Sequence, residues 1–207
     1  MSLIVFLHVW LVSCCARRDS RTHFLELFRM NINIYLIKRC EMRPSVENPM
    51  RDELAAHFES VRSRTPRWAS DYNIAIRLQR TCPLSIAIAD VVVYLVQNPT
   101  DSVFARFGAA AHPSGHGGRT CYTIPGRLRA SEVYVRSEFG SLLAKVVFHE
   151  VLHNKTGWGN SRLHGHHHGG VSAASIRHDT VVSDEDLDLM GTHVGAAHPQ
   201  WTGGCSP

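Results

Sequence analysis

Apolar positions between Met50 and Val61 recur at helical spacing, with Leu54, Ala55, Phe58 and Val61 on one face. Asn48-Pro49 suits the opening of that helix, and Thr65-Pro66 breaks it. Residues 68–78 read as a second helix. Residues 83–96 form a strongly apolar third segment that Asn98-Pro99 stops. The β-branched run Val91-Val92-Val93 allows a strand there, but the segment's length favours a buried helix. Residues 101–111 read as a short fourth helix, followed by the loop His112 to Arg119. Thr120 to Ile124 and Glu132 to Phe139 have strand character, with Val133, Tyr134 and Val135 in the second.

The clearest helix runs from Ser141 to His153. Leu142, Leu143, Val146, Val147, Val151 and Leu152 cover more than one of its faces, which predicts burial on most sides, and Gly157 is a natural stop. Gly165 to Gly170 is a His-rich loop. Ser183 caps a last helix through Asp184 to Met190, with acidic residues at its positive end. The expected fold class is α+β: helices from about 46 to 111, a small mixed sheet, then the motif helix and a short C-terminal part.

The first 43 residues read as an apolar and basic extension. Leu3 to Val12 is too short to span a bilayer as a helix. Leu11-Val12-Ser13-Cys14 has the form of a lipobox, although Arg17 and Arg18 beyond it fit export poorly. The segment is a signal, an extension or sequence upstream of a start at Met42 or Met50. Membrane association is expected only if it is a lipoprotein signal, and the compartment stays open. The expected organisation is extension 1–43, catalytic domain 44–195 and tail 196–207.

With 207 residues, 44% hydrophobic and 19% charged, the chain can build an ordinary core. A net charge of +4 does not argue for nucleic acid, and no nucleic-acid motif is present. Cys14, Cys15, Cys40, Cys82, Cys121 and Cys205 include no CxxC pair, so nothing in their spacing asks for a zinc ribbon or a disulfide framework. Histidine changes the picture. Seven of the fourteen lie between His149 and His178, and histidine is the commonest metal ligand.

His149-Glu150-Val151-Leu152-His153 is an HExxH segment. Two histidines four residues apart on a helix share a face, so both imidazoles reach one metal. Glu150, next to the first, reaches a water at that metal rather than the metal itself, the place of a general base. The sequence resembles the zincin metallopeptidases, which implies Zn2+, hydrolysis of a peptide or protein substrate, and an edge strand that pairs with the extended substrate. By that resemblance Val133-Tyr134-Val135-Arg136 would be the strand. Lys155 departs from the usual apolar residue and suggests an early helix end.

A third ligand is required. The HExxHxxGxxH pattern fails, because position 159 is Gly159. His164, followed by Gly165, is preferred. HExxH, a short loop and then His-Gly is similar to the SprT-like peptidases, in which that histidine is a ligand. His166, His167, His168 and Glu185 remain rivals. Met190 reads as a buried helix-end methionine rather than a turn beneath the metal. His193 and His198 are candidate oxyanion stabilisers and Asp179 and Asp184 candidate partners of a ligand imidazole, though ordinary surface or capping roles suit all four better. Trp158 either walls the cleft or packs under the loop. The alternatives to a zinc peptidase are a non-catalytic His-rich metal-binding protein and an inactive zincin-like scaffold that binds a protein partner.

Overall fold

The structure is a computed structural model that describes residues 30–64, 72–104, 117–122, 128–135, 138–165, 170–172 and 175–205. Nine principal elements follow in chain order. They are β1 (Met30–Lys38), α1 (Pro44–Arg64), β2 (Tyr72–Gln79), β3 (Val91–Val96), β4 (Gly118–Tyr122), β5 (Arg129–Tyr134), α2 (Gly140–Thr156), α3 (Asn160–His164) and α4 (Asp184–His193). The fold is α+β, built on a five-stranded sheet of order β2-β1-β3-β5-β4. The first four strands in that order are parallel, and β4 runs antiparallel to β5 at one edge.

Alternation along the strands sorts side chains to two faces. Ile32, Ile34 and Leu36 of β1, Val91, Val93 and Leu95 of β3 and Val133 of β5 point to the helical side. There they meet Met50, Leu54 and Phe58 of α1, Val147, Phe148 and Val151 of α2, and Leu187 and Met190 of α4. On the opposite side Ile37, Val92, Tyr94, Val96 and Ala130 pack with Val103, Phe104 and Trp201. A sheet that is mostly parallel is covered on both faces, and each residue of β3 is accordingly buried.

That double burial explains one departure from the sequence reading. Residues 83–96 are not a helix: only Val91–Val96 is regular, and it is a strand. With both faces apolar the two-residue period disappears, and segment length then misleads. Of the helix expected over 68–78, residues 72–78 are instead a strand, since Tyr72–Gln79 pairs in register with β1, and 68–71 lie outside the described residues. Of the helices expected between 46 and 111, α1 is the one described. Where the short helix 101–111 is expected, a 3-10 turn over Pro99–Asp101 comes first, Phe104 is helical, and 105–111 lie outside the described residues.

The boundary at 43 is also corrected. Met30–Lys38 lies inside the sheet, flanked by β2 and β3, so the domain includes part of the supposed extension. The asparagines that interrupt its apolar run mark alternation: Asn33 faces away from the helices and both its backbone and side-chain N–H groups donate to Asp90 Oδ1, at 2.7 and 3.2 Å. Residues 1–29, with the lipobox-like segment, lie outside the described residues.

The C-terminal segment is no loose tail. Arg129 N donates to Pro199 O at 2.9 Å, and Trp201 N donates to Arg129 O at 2.8 Å. Cys82 and Cys205 form a disulfide across 123 residues, with Cα atoms 5.6 Å apart. Sequence spacing carried no sign of it. A cross-link closing so long a loop removes much freedom from the unfolded chain. Replacing both cysteines by serine should therefore lower the unfolding free energy by about 2–5 kcal/mol, measured by urea denaturation without reductant. An unchanged midpoint would mean that the covering of this face is held by packing alone.

Candidate metal centre

Helix α2 carries the motif. Residues 146–155 are all buried, as the apolar coverage of its faces predicts, and Gly157 at φ 71° ends it in the left-handed conformation. Lys155 does not end the helix early. It lies in the last turn, 1% exposed, with Nζ donating to Ala89 O and, at 2.9 Å, to Ala196 O.

His149 and His153 lie one turn apart with Nε2 atoms 3.1 Å from each other. His149 Nδ1 is 2.5 Å from Val171 O, and His153 Nδ1 is 2.7 Å from Trp158 O. A carbonyl oxygen only accepts, so both Nδ1 atoms carry the proton. In the neutral rings both Nε2 atoms then present a bare lone pair, and two lone pairs face each other across 3.1 Å. That arrangement repels unless a cation lies between them. Two ligands at about 2.05 Å from a tetrahedral ion are separated by roughly 3.3 Å, close to the distance observed.

His164, the last residue of α3, completes the group. Its ring lies 5.5 Å from that of His149 and 5.8 Å from that of His153. One ligand atom from each histidine falls within 4.8 Å of the other two, so the three could hold a metal ion. Burial pushes the His153 imidazole below its usual 6.5, which keeps it in the neutral, ligating form at pH 7.

Glu150 follows His149 and is 3% exposed. Its Oε2 accepts from Thr120 Oγ1 at 2.8 Å, and the same hydroxyl is 3.0 Å from Glu150 O. Burial raises the carboxyl to about 8; the Thr120 hydrogen bond opposes that shift, and Glu132 adds to it. A cation at the imidazoles would oppose burial further. Room for the carboxylate comes from Gly118 on β4. A Cβ there would fall 2.7 Å from Glu132 O, 2.8 Å from Glu150 Cγ and 2.9 Å from Glu150 Oε1. Sequence reasoning passed over both: Thr120 opens the strand it identified, and Gly118, assigned to the loop before it, belongs to the same strand.

The strand expected to offer its edge does not. Val133 and Tyr134 belong to β5, which is paired with β3 on one side and β4 on the other, and Val135 N donates to Val96 O. The edge strand beside Glu150 is β4. Arg136 lies outside the described residues.

The remaining candidates fall elsewhere. Glu185 is exposed in the first turn of α4, apart from the histidine group, and His166, His167 and His168 lie outside the described residues. Met190 is fully buried within α4, the bland reading. His193 Nδ1 bonds Leu189 O at 2.9 Å while its ring meets Trp158 edge-on, and His198 Nε2 bonds Lys155 O at 3.1 Å, so both are engaged structurally. Asp179 and Asp184 are exposed; the imidazoles are held by backbone carbonyls instead. Trp158 is half-buried, packs against the core and carries the Arg162 guanidinium 4.2 Å over its ring.

No family model, curated protein or solved structure matches the chain.

If the three histidines act together, zinc at about 100 times its Kd should stabilise the metal-free protein by about 2.7 kcal/mol. His164→Ala should remove most of that gain in a thermal melt. An equal gain in both proteins would take His164 out of the site.

Proposed function

We propose that the protein is a zinc-dependent metallopeptidase with a zincin-like domain, in which His149, His153 and His164 hold the ion and Glu150 is the general base. The observation that carries the reading is the pair of facing Nε2 atoms, 3.1 Å apart, each made a bare donor by the carbonyl that holds its Nδ1–H. Three neutral imidazoles suit zinc and leave a fourth position for water. The order HExxH, short loop, His-Gly is also similar to that of SprT-like peptidases.

When bound, zinc supplies Lewis acidity that polarises a carbonyl and brings the pKa of a water to about 7. The chain's own residues do the rest. Glu150 Oε1, the oxygen not bonded to Thr120, takes the proton from the attacking water and returns it to the leaving amine. Thr120 holds the other oxygen so that the carboxylate faces one way. Strand β4 offers its outer edge to an extended peptide. Main-chain hydrogen bonds there would align the scissile bond beside Glu150, since Thr120 and Gly118 of the same strand touch that side chain.

Glu150→Gln keeps the shape and removes the base. It should retain one zinc per chain and lose hydrolysis of a peptide library by about 10²–10⁴-fold. Undiminished hydrolysis would remove Glu150 from the mechanism. A wild-type protein with one tightly held zinc and no cleavage of any peptide would instead be a scaffold.

A further inference from the structure

Asp186 of α4 is fully buried, and its carboxylate receives four hydrogen bonds. Two come from Ser183, from N and from Oγ, both at 2.9 Å. With the 3.2 Å bond from Asp186 N to Ser183 Oγ they form the capping box of α4. The other two serve no cap. Val171 N donates to Oδ2 at 2.8 Å, and Ser172 N donates to Oδ1 at 3.1 Å.

The second of these has a particular geometry. Ser172 N–H and Val171 C=O belong to one trans peptide unit, so they point in opposite directions. The N–H end is held by Asp186 Oδ1, and the C=O end receives His149 Nδ1–H. A carboxylate, a peptide group and an imidazole therefore stand in series. The negative charge draws the N–H, polarises the peptide and makes Val171 O a stronger acceptor. A stronger acceptor fixes the ring's tautomer and makes Nε2 a better donor. Ligand imidazoles commonly give the second N–H to a carboxylate or carbonyl for this purpose, and here a peptide is interposed between the two.

The turn is shaped to bring this about. Gly170 has φ 78°, and a Cβ there would fall 2.2 Å from Asp186 Oδ2 and 2.8 Å from Ser183 Oγ. Only glycine lets the chain pass so close to the carboxylate. Val171 is itself fully buried in the main core, so the peptide is held at its side chain and at both polar ends.

We propose that Asp186 is a positioning residue for the metal centre, holding His149 through the Val171–Ser172 peptide. The proposal rests on the reading of His149 as a metal ligand. In Asp186→Asn one of the four donors meets an amide NH2 in place of an oxygen, while the volume is unchanged. Ser183→Ala removes the hydroxyl cap but leaves all three backbone N–H bonds to the Asp186 carboxylate.

The experiment measures zinc affinity by chelator competition, the melting midpoint without metal, and the ring ¹⁵N shifts of His149 in the metal-free protein. Both variants should melt lower than wild type. Asp186→Asn alone should bind zinc about 10–100-fold more weakly and move His149 away from the Nδ1–H tautomer. Should that variant not fold, Gly170→Ala, which crowds the carboxylate without removing its charge, should show the same pair of changes. Wild-type affinity and tautomer in the variant used overturn the proposal, and so does an equal loss of zinc in Ser183→Ala. If the wild-type protein binds no zinc, the peptidase reading fails. The ¹⁵N shifts of the metal-free proteins then decide on Asp186 alone.

Discussion

An imidazole aims a bare nitrogen at a metal only when its other nitrogen gives its proton to an acceptor, and two such acceptors must be found inside the protein here. Val171 O serves His149 and Trp158 O serves His153. Both are backbone carbonyls of segments that leave regular structure near the site. The turn at 170–172 and the passage from α2 to α3 are thus placed by hydrogen-bonding need as well as by chain connection. Using backbone acceptors keeps side-chain charge away from the two imidazoles. The Asp186 carboxylate stands one peptide farther out from His149.

The sheet supplies the other half of the site. Edge strand β4 touches Glu150 through Thr120 and makes room for it through Gly118. Strand β5 holds β4 at a fixed height over α2, and Ser131 of β5 links its Oγ to Thr120 Oγ1 at 2.9 Å and to Asn154 Nδ2 at 2.9 Å. Glu150, the strand proposed to bind substrate and the helix that carries the histidines are therefore joined by a short chain of hydroxyl and amide contacts. A shift of the strand would carry the carboxylate with it, because one side chain bridges them.

What could be read from the sequence was what depends on neighbours along the chain. The motif helix, its stop at Gly157 and the Ser183 cap are local matters of periodicity and backbone conformation, and each is found. His164 was legible because a short connection brings it back over the same helix face. Strands β2 and β3 were not, since parallel strands take their identity from partners far away in sequence. β1 was set apart with the apolar and basic extension, although Asn31 and Asn33 alternate with Ile32 and Ile34 as a strand requires. Asp186 was missed in favour of Asp179 and Asp184, yet Ser183 three residues before it is the first letter of a capping pattern that marks it for burial. The Cys82–Cys205 pair has no local signature at all.

One constraint accounts for the oddest residue of the helix. His153 lies in the last turn of α2, where helices fray and a ligand is poorly held. The next two residues answer that problem. Asn154 pairs with Gln200 through two bonds of 3.0 Å, and Lys155 Nζ binds Ala89 O and Ala196 O, while His198 Nε2 meets Lys155 O. Burial pushes the Lys155 ammonium down to about 7, with the Asp90 carboxylate opposing the shift. An apolar side chain would avoid that desolvation but could tie neither carbonyl. The contacts reach the 196–205 segment, which Cys205 fastens to the far face of the sheet. The end of the helix that carries His149 and His153 is therefore steadied by the C-terminal segment. A lysine at a position where helical packing alone would choose a hydrocarbon is the mark of that arrangement in the sequence.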